Sequence, residues 1–146
     1  MRRLLSLLLI ATSVFAGPVY NANSPPLLGP GGAAALWTAE TPTPGTGGNS
    51  ASQQVQLLQT SGKAGTPFSV DGKFSGAPGA FEVDVQVSAT DADANYQTCS
   101  NCNITTVDAT NQTFHLDAVL VNARFMRLLM RTRTNAVSIT ATATGG

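Results

Sequence analysis

Apolar and polar residues alternate with a period of two along much of the C-terminal part of the chain. Phe81, Val83, Val85 and Val87 fall on one face of such a run, with Glu82, Asp84, Gln86 and Ser88 on the other. Val137, Ile139, Ala141 and Ala143 oppose Ser138, Thr140, Thr142 and Thr144 in the same way. Successive side chains of an extended chain point to opposite faces, so each run predicts a strand with one buried and one wet face. Weaker strand candidates lie at 54–60, 68–74, 104–107, 112–116 and 118–121. Turn-forming stretches at 61–65, 75–79 and 109–111 separate them. Seven or eight short strands with spaced turns predict an all-β fold, an antiparallel two-sheet sandwich of jelly-roll-like form. A half-apolar strand must cover its apolar face, and a second sheet is the only cover this sequence offers.

Residues 123–133 fit two periods. As a strand, Met126, Leu128, Met130 and Thr132 line one face, while Phe125, Arg127, Leu129, Arg131 and Arg133 line the other. As a helix, Phe125, Leu128, Leu129 and Thr132 form a stripe opposite Arg124, Arg127 and Arg131. The β-prone flanks and the lack of a helix cap favour the strand.

The N-terminal third has a different character. Arg2 and Arg3 precede a short apolar run at 4–11, and Val14 and Ala16 are spaced like a signal-peptidase site. Residues 1–16 therefore read as a signal peptide or an apolar arm. The run is too short and broken to span a membrane. Residues 17–52 hold six of the eight prolines, including Thr41-Pro42-Thr43-Pro44-Gly45, and a single charge, Glu40. They read as an extended Pro- and Gly-rich arm or linker. On such an arm Leu27, Leu28, Leu36 and Trp37, the only tryptophan, are candidate anchors for a neighbouring subunit. Residues 53–146 remain as the β-sandwich domain.

Composition sharpens this picture. In 146 residues, eight Lys and Arg balance eight Asp and Glu, and only 11% of residues are charged. The chain has no general basic field with which to hold nucleic acid. The zero sum hides segregation: residues 82–117 carry Glu82, Asp84, Asp91, Asp93, Asp108 and Asp117, whereas residues 124–133 carry Arg124, Arg127, Arg131 and Arg133. Cross-strand pairing of the two groups is the plain reading. The functional readings are a subunit contact between patches or an anion-binding face.

Candidate chemistry is sparse. Cys99-Ser100-Asn101-Cys102 lacks the other half of a four-ligand zinc site, and His115 alone does not complete one. A local disulfide is the preferred reading, with free thiols, a metal site or redox work as alternatives. Asp91, Asp93 and Asn95 place oxygen ligands at alternate positions as a calcium loop begins, with Asp84, Asp108 or Asp117 as further donors. Tyr96 and Cys102 then occupy positions where an EF-type loop needs Gly and Glu. Calcium is thus a weak candidate, and no other cofactor is expected. His115 has no Ser or Cys nucleophile on a recognisable turn, and no catalytic set is expected. Asn103-Ile104-Thr105 and Asn111-Gln112-Thr113 are glycosylation triplets that matter only in a compartment performing that reaction.

Several strings taken together carry a resemblance: Pro67-Phe68-Ser69-Val70, the run 76–86, Asp91-Ala92-Asp93, and Ala123-Arg124-Phe125-Met126-Arg127-Leu128. Over residues 66–144 the chain resembles the small β-sandwich proteins among the structural or decoration components of tailed-bacteriophage virions. Phe125-Met126-Arg127 also resembles the aromatic-x-Arg of a late strand in discoidin-like sugar-binding modules. These are strand and turn patterns, so no functional residue carries over. The expectation is a non-catalytic structural module that contacts copies of itself or a protein partner, at a virion surface or exported. The alternative is a secreted carbohydrate-binding or adhesion module using Tyr96 and the 91–95 turn.

Overall fold

The structure is a computed structural model, and it describes residues 25–45, 50–58, 67–100, 102–105 and 107–146. The expected signal segment at 1–16 and the turn at 61–65 lie outside these residues.

Among the described residues, nine strands form two sheets. The first sheet is ordered β1 (Leu27–Leu28), β3 (Val55–Leu57), β8 (Phe125–Arg133), β5 (Phe81–Ser88) and β6 (Gln97–Thr98). The second is ordered β2 (Ala33–Glu40), β9 (Ile139–Gly145), β4 (Phe68–Phe74) and β7 (Thr113–Val119). All pairings are antiparallel except β1 with β3. The order 3-8-5-6 facing 2-9-4-7, with the chain passing repeatedly between sheets, is a jelly roll with β1 added at one edge.

The alternating runs build the core as their period requires. Val83 and Val85 of β5 meet Phe68, Val70 and Phe74 of β4 in one buried cluster, with Ile139, Ala141 and Ala143 of β9. Residues 125–133 are a strand, and Met126, Leu128 and Met130 are its core face. Phe74, Phe81 and Phe114 pack at one end with ring centroids 4.7, 5.3 and 5.4 Å apart. Gly72 makes room for them. It sits opposite Phe114 across the β4–β7 ladder, and a methyl group there would fall inside the Phe114 ring.

Residues 25–40 are part of the sandwich rather than an arm. β2 pairs with β9 over most of its length, and Leu28, Leu36 and Trp37 are buried in the common core. Leu36 and Trp37 are therefore core residues, not exposed anchors; of the expected anchors only Leu27 is exposed. Trp37 lies opposite Ala141, and the small Ala141 and Ala143 leave the volume that the indole takes. The domain boundary expected at residue 53 also falls inside the fold. Gly45 N–H donates to Met130 O at 3.1 Å and Ser52 N–H to Leu128 O at 2.9 Å, so both residues are bonded to β8.

β2 escaped the periodic reading because its period is broken. Its register shifts twice, between Ala35 and Trp37 and again before Glu40, and Ala39 has φ 53°. A bulge turns successive side chains out of strict alternation. Two smaller differences follow. The candidates 112–116 and 118–121 are one strand, β7, and within 104–107 the described residues show one isolated bridge, Ile104 to Val83.

Candidate functional site

The arginine-rich strand and the acidic segment meet on the outer face of the first sheet. Cross-strand register sets Gln86 opposite Arg127 and Asp84 opposite Leu129. Arg127 is buried: its Nε donates to Gln86 Oε1 at 2.8 Å, its Nη1 pairs with Asp93, and its guanidinium lies 4.1 Å from the Tyr96 ring centroid. Arg131 Nε is 3.4 Å from Asp84 Oδ2, which also accepts from Thr98 Oγ1 at 3.1 Å. Arg133 Nη1 donates to Val137 O at 2.6 Å, and burial lowers its pKa. Arg124 is exposed, 5.4 Å from the Phe125 ring centroid. Arg127 and Arg131 are thus directed at acids of the same chain. A buried guanidinium needs such partners because desolvating it alone is costly.

The 91–96 loop is built by the same contacts. Asp93–Asn95 form a single 3-10 turn whose Asp93 carboxylate caps Arg127. Tyr96 Oη donates to Asp91 Oδ1 at 3.1 Å, and Asn95 Nδ2 donates to Thr90 Oγ1 at 2.8 Å. Asp91, Asp93 and Asn95 therefore face protein partners, and among the described residues no three His, Cys, Asp or Glu side chains gather as a metal site. Tyr96 is only 8% exposed beneath Arg127, so its ring face is not open to a sugar. Cys99 and Cys102 are joined by a disulfide, with Cys102 in the core cluster. Asp108 accepts from Thr110 N–H, Asn111 N–H and Asn111 Nδ2, and these bonds, the Asn111 side chain first, lower its pKa. The amide of one glycosylation triplet is thereby engaged in a turn.

The second sheet presents an open face. His115 on β7 stands between two carboxylates, with Nδ1 2.7 Å from Asp71 Oδ1 on β4 and Nε2 3.2 Å from Asp117 Oδ1 two residues along. The hydrogen bond to Asp71, with Asp117 adding to it, raises the His115 pKa. The side chains of His115, Asp71 and Asp117 are 51%, 64% and 102% exposed, so this cluster is presented to solvent rather than enclosed in a cleft. The neighbouring strand adds Thr140, Thr142 and Thr144 to the same face. Sequence reasoning missed the Asp71 partner of His115, since that pairing depends on the β4–β7 register.

Two shallow clefts of about 440 and 510 Å³ lie at opposite ends of β5, and no acid, base, histidine or cysteine lines either. Among the described residues no helix is long and apolar enough to cross a membrane. Among the described residues, the fold is a nine-stranded jelly-roll sandwich in which Arg127, Arg131 and His115 are paired with carboxylates of the same chain. No protein family, curated protein or solved structure matches it.

Proposed function

We propose that this chain is a non-catalytic structural module that assembles with copies of itself or a protein partner, as a virion-associated or exported surface-layer component. The observation that carries the reading is the β7 edge of the second sheet, which no strand covers among the described residues, beside an exposed charged cluster, while Arg127, Arg131 and Arg133 are engaged within the chain. Jelly-roll sandwiches recur in virion shells and in sugar-binding domains, and fold alone does not choose between them. The covering of Tyr96 by Arg127 favours assembly over sugar recognition through the 91–96 loop. The sparse charge and the cleft linings fit a protein that acts by contact.

Fractionation of the native source tests this reading. The chain is expected to sediment with particles or surface layers. Recovery as a free monomer in every fraction overturns it. The intact mass of the recovered chain reports whether residues 1–16 remain.

A further inference from the structure

The four sheet edges differ in how they meet solvent. β1 and β6 are two residues long, and β2 is bent by two register shifts and the positive φ of Ala39. Such short or bulged edges resist pairing with another chain. β7 is seven residues long, and among the described residues no strand lies on the side away from β4. Its pairing with β4 runs without a shift from Thr113 to Leu116, and the one irregularity lies between Leu116 and Val119.

The backbone of β7 shows which groups face the open side. Phe74 N–H donates to Gln112 O across the β4–β7 pair, whereas Thr113 exchanges both its N–H and C=O with Asp108 on the other side. By the two-residue period, His115 also directs its N–H and C=O away from β4, and Asp117 follows where the register shift begins. His115 and Asp117 share the outer face and flank Leu116 symmetrically.

We propose that the β7 edge around His115–Asp117, beyond the bridge of Thr113 to Asp108, pairs with the same edge of a second copy, antiparallel, about a two-fold axis at Leu116. This deepens the assembly reading and rests on it. In this register His115 of each copy faces Asp117 of the other as a hydrogen-bonded pair, and Leu116 faces itself as a non-hydrogen-bonded pair. The charge pattern selects the register: parallel pairing sets His against His, and an axis at His115 or Asp117 sets like against like. Opposite charges placed symmetrically about an axis make an isologous contact self-complementary. The charged groups facing His115 within its own copy are Asp71 from β4 and Asp117 from its own strand; Lys73 lies opposite Thr113. The second copy adds one further carboxylate to each His115, so protonation of His115 strengthens the contact.

Two experiments on the full chain test it. Opposed Cα atoms in a non-hydrogen-bonded antiparallel pair are about 4.5 Å apart, within disulfide reach. Leu116→Cys is therefore expected to form a covalent dimer on mild oxidation, and Thr113→Cys is not. In sedimentation velocity, the wild-type dimer is expected to be about tenfold tighter at about pH 6 than at about pH 9, and Asp117→Lys to weaken it at least about tenfold at the lower pH. The Asp117 side chain is fully exposed, so a thermal melt confirms that this variant folds. A particle- or layer-associated chain that shows neither the cross-link nor sensitivity to Asp117→Lys overturns the edge proposal alone. A chain that is monomeric and also free of particles or layers overturns both readings.

Discussion

At the scale of single residues, the fold depends on a few side chains whose environment no local pattern announces. Gly72 is one. It must lack a side chain because Phe114 lies directly over it, so Gly72→Ala is expected to cost about 1–3 kcal/mol through overpacking, read as a lower urea midpoint with unchanged slope. Arg127 is another. Removing one partner of a buried charge costs more than replacing both. Asp93→Asn is therefore expected to destabilise the protein, and the double variant Asp93→Asn with Arg127→Met to recover part of that loss in the same measurement.

At the scale of elements, the clearest prediction belongs to β7 and its attachment to β4. His115 has a raised pKa in the folded protein, chiefly through its hydrogen bond to Asp71. Its contribution to stability is then fully present below the unfolded histidine value of about 6.5 and is lost as pH rises through the higher folded value. Thermal melts from about pH 5.5 to about pH 9 should show wild type losing stability relative to His115→Gln across that window. Parallel curves would assign His115 no linkage. The screening expected for so exposed a group keeps the effect small. β5 and β9 were legible as strands because apolar and polar residues alternate strictly along them. β2 was not, because its bulges rotate Trp37 and its neighbours out of phase.

At the scale of the whole molecule, β1 and β2 decide what counts as the domain. Leu28, Leu36 and Trp37 belong to the same core as β4, β5, β8 and β9. A fragment beginning at residue 53 is expected to lose cooperative unfolding and to bind an apolar dye, because β9 loses its β2 neighbour and the core loses its tryptophan. A sharp thermal transition for that fragment would show that the C-terminal strands suffice. The segregated charges likewise gain meaning only at this scale. Asp84 and Asp93 are distant in the chain from Arg127 and Arg131 but lie beside them at the first sheet, so two of the four arginines meet carboxylates there.

The sequence by itself determined that this is a two-sheet β protein and which faces of its regular strands line the core, since a period of two is a local property of the extended backbone. That Asp84, Gln86 and Ser88 on the other face of β5 are also buried came only from the tertiary structure. The sequence also favoured a local disulfide between Cys99 and Cys102, because only two residues lie between them and no further ligands accompany them. Only the tertiary structure decided that Trp37 is core, that Arg127 is covered, that His115 stands beside Asp71 and that β7 is left at an open edge. Each of these depends on strand order and register. Those are set by pairings between residues far apart in the chain, where long-range packing outweighs local preference.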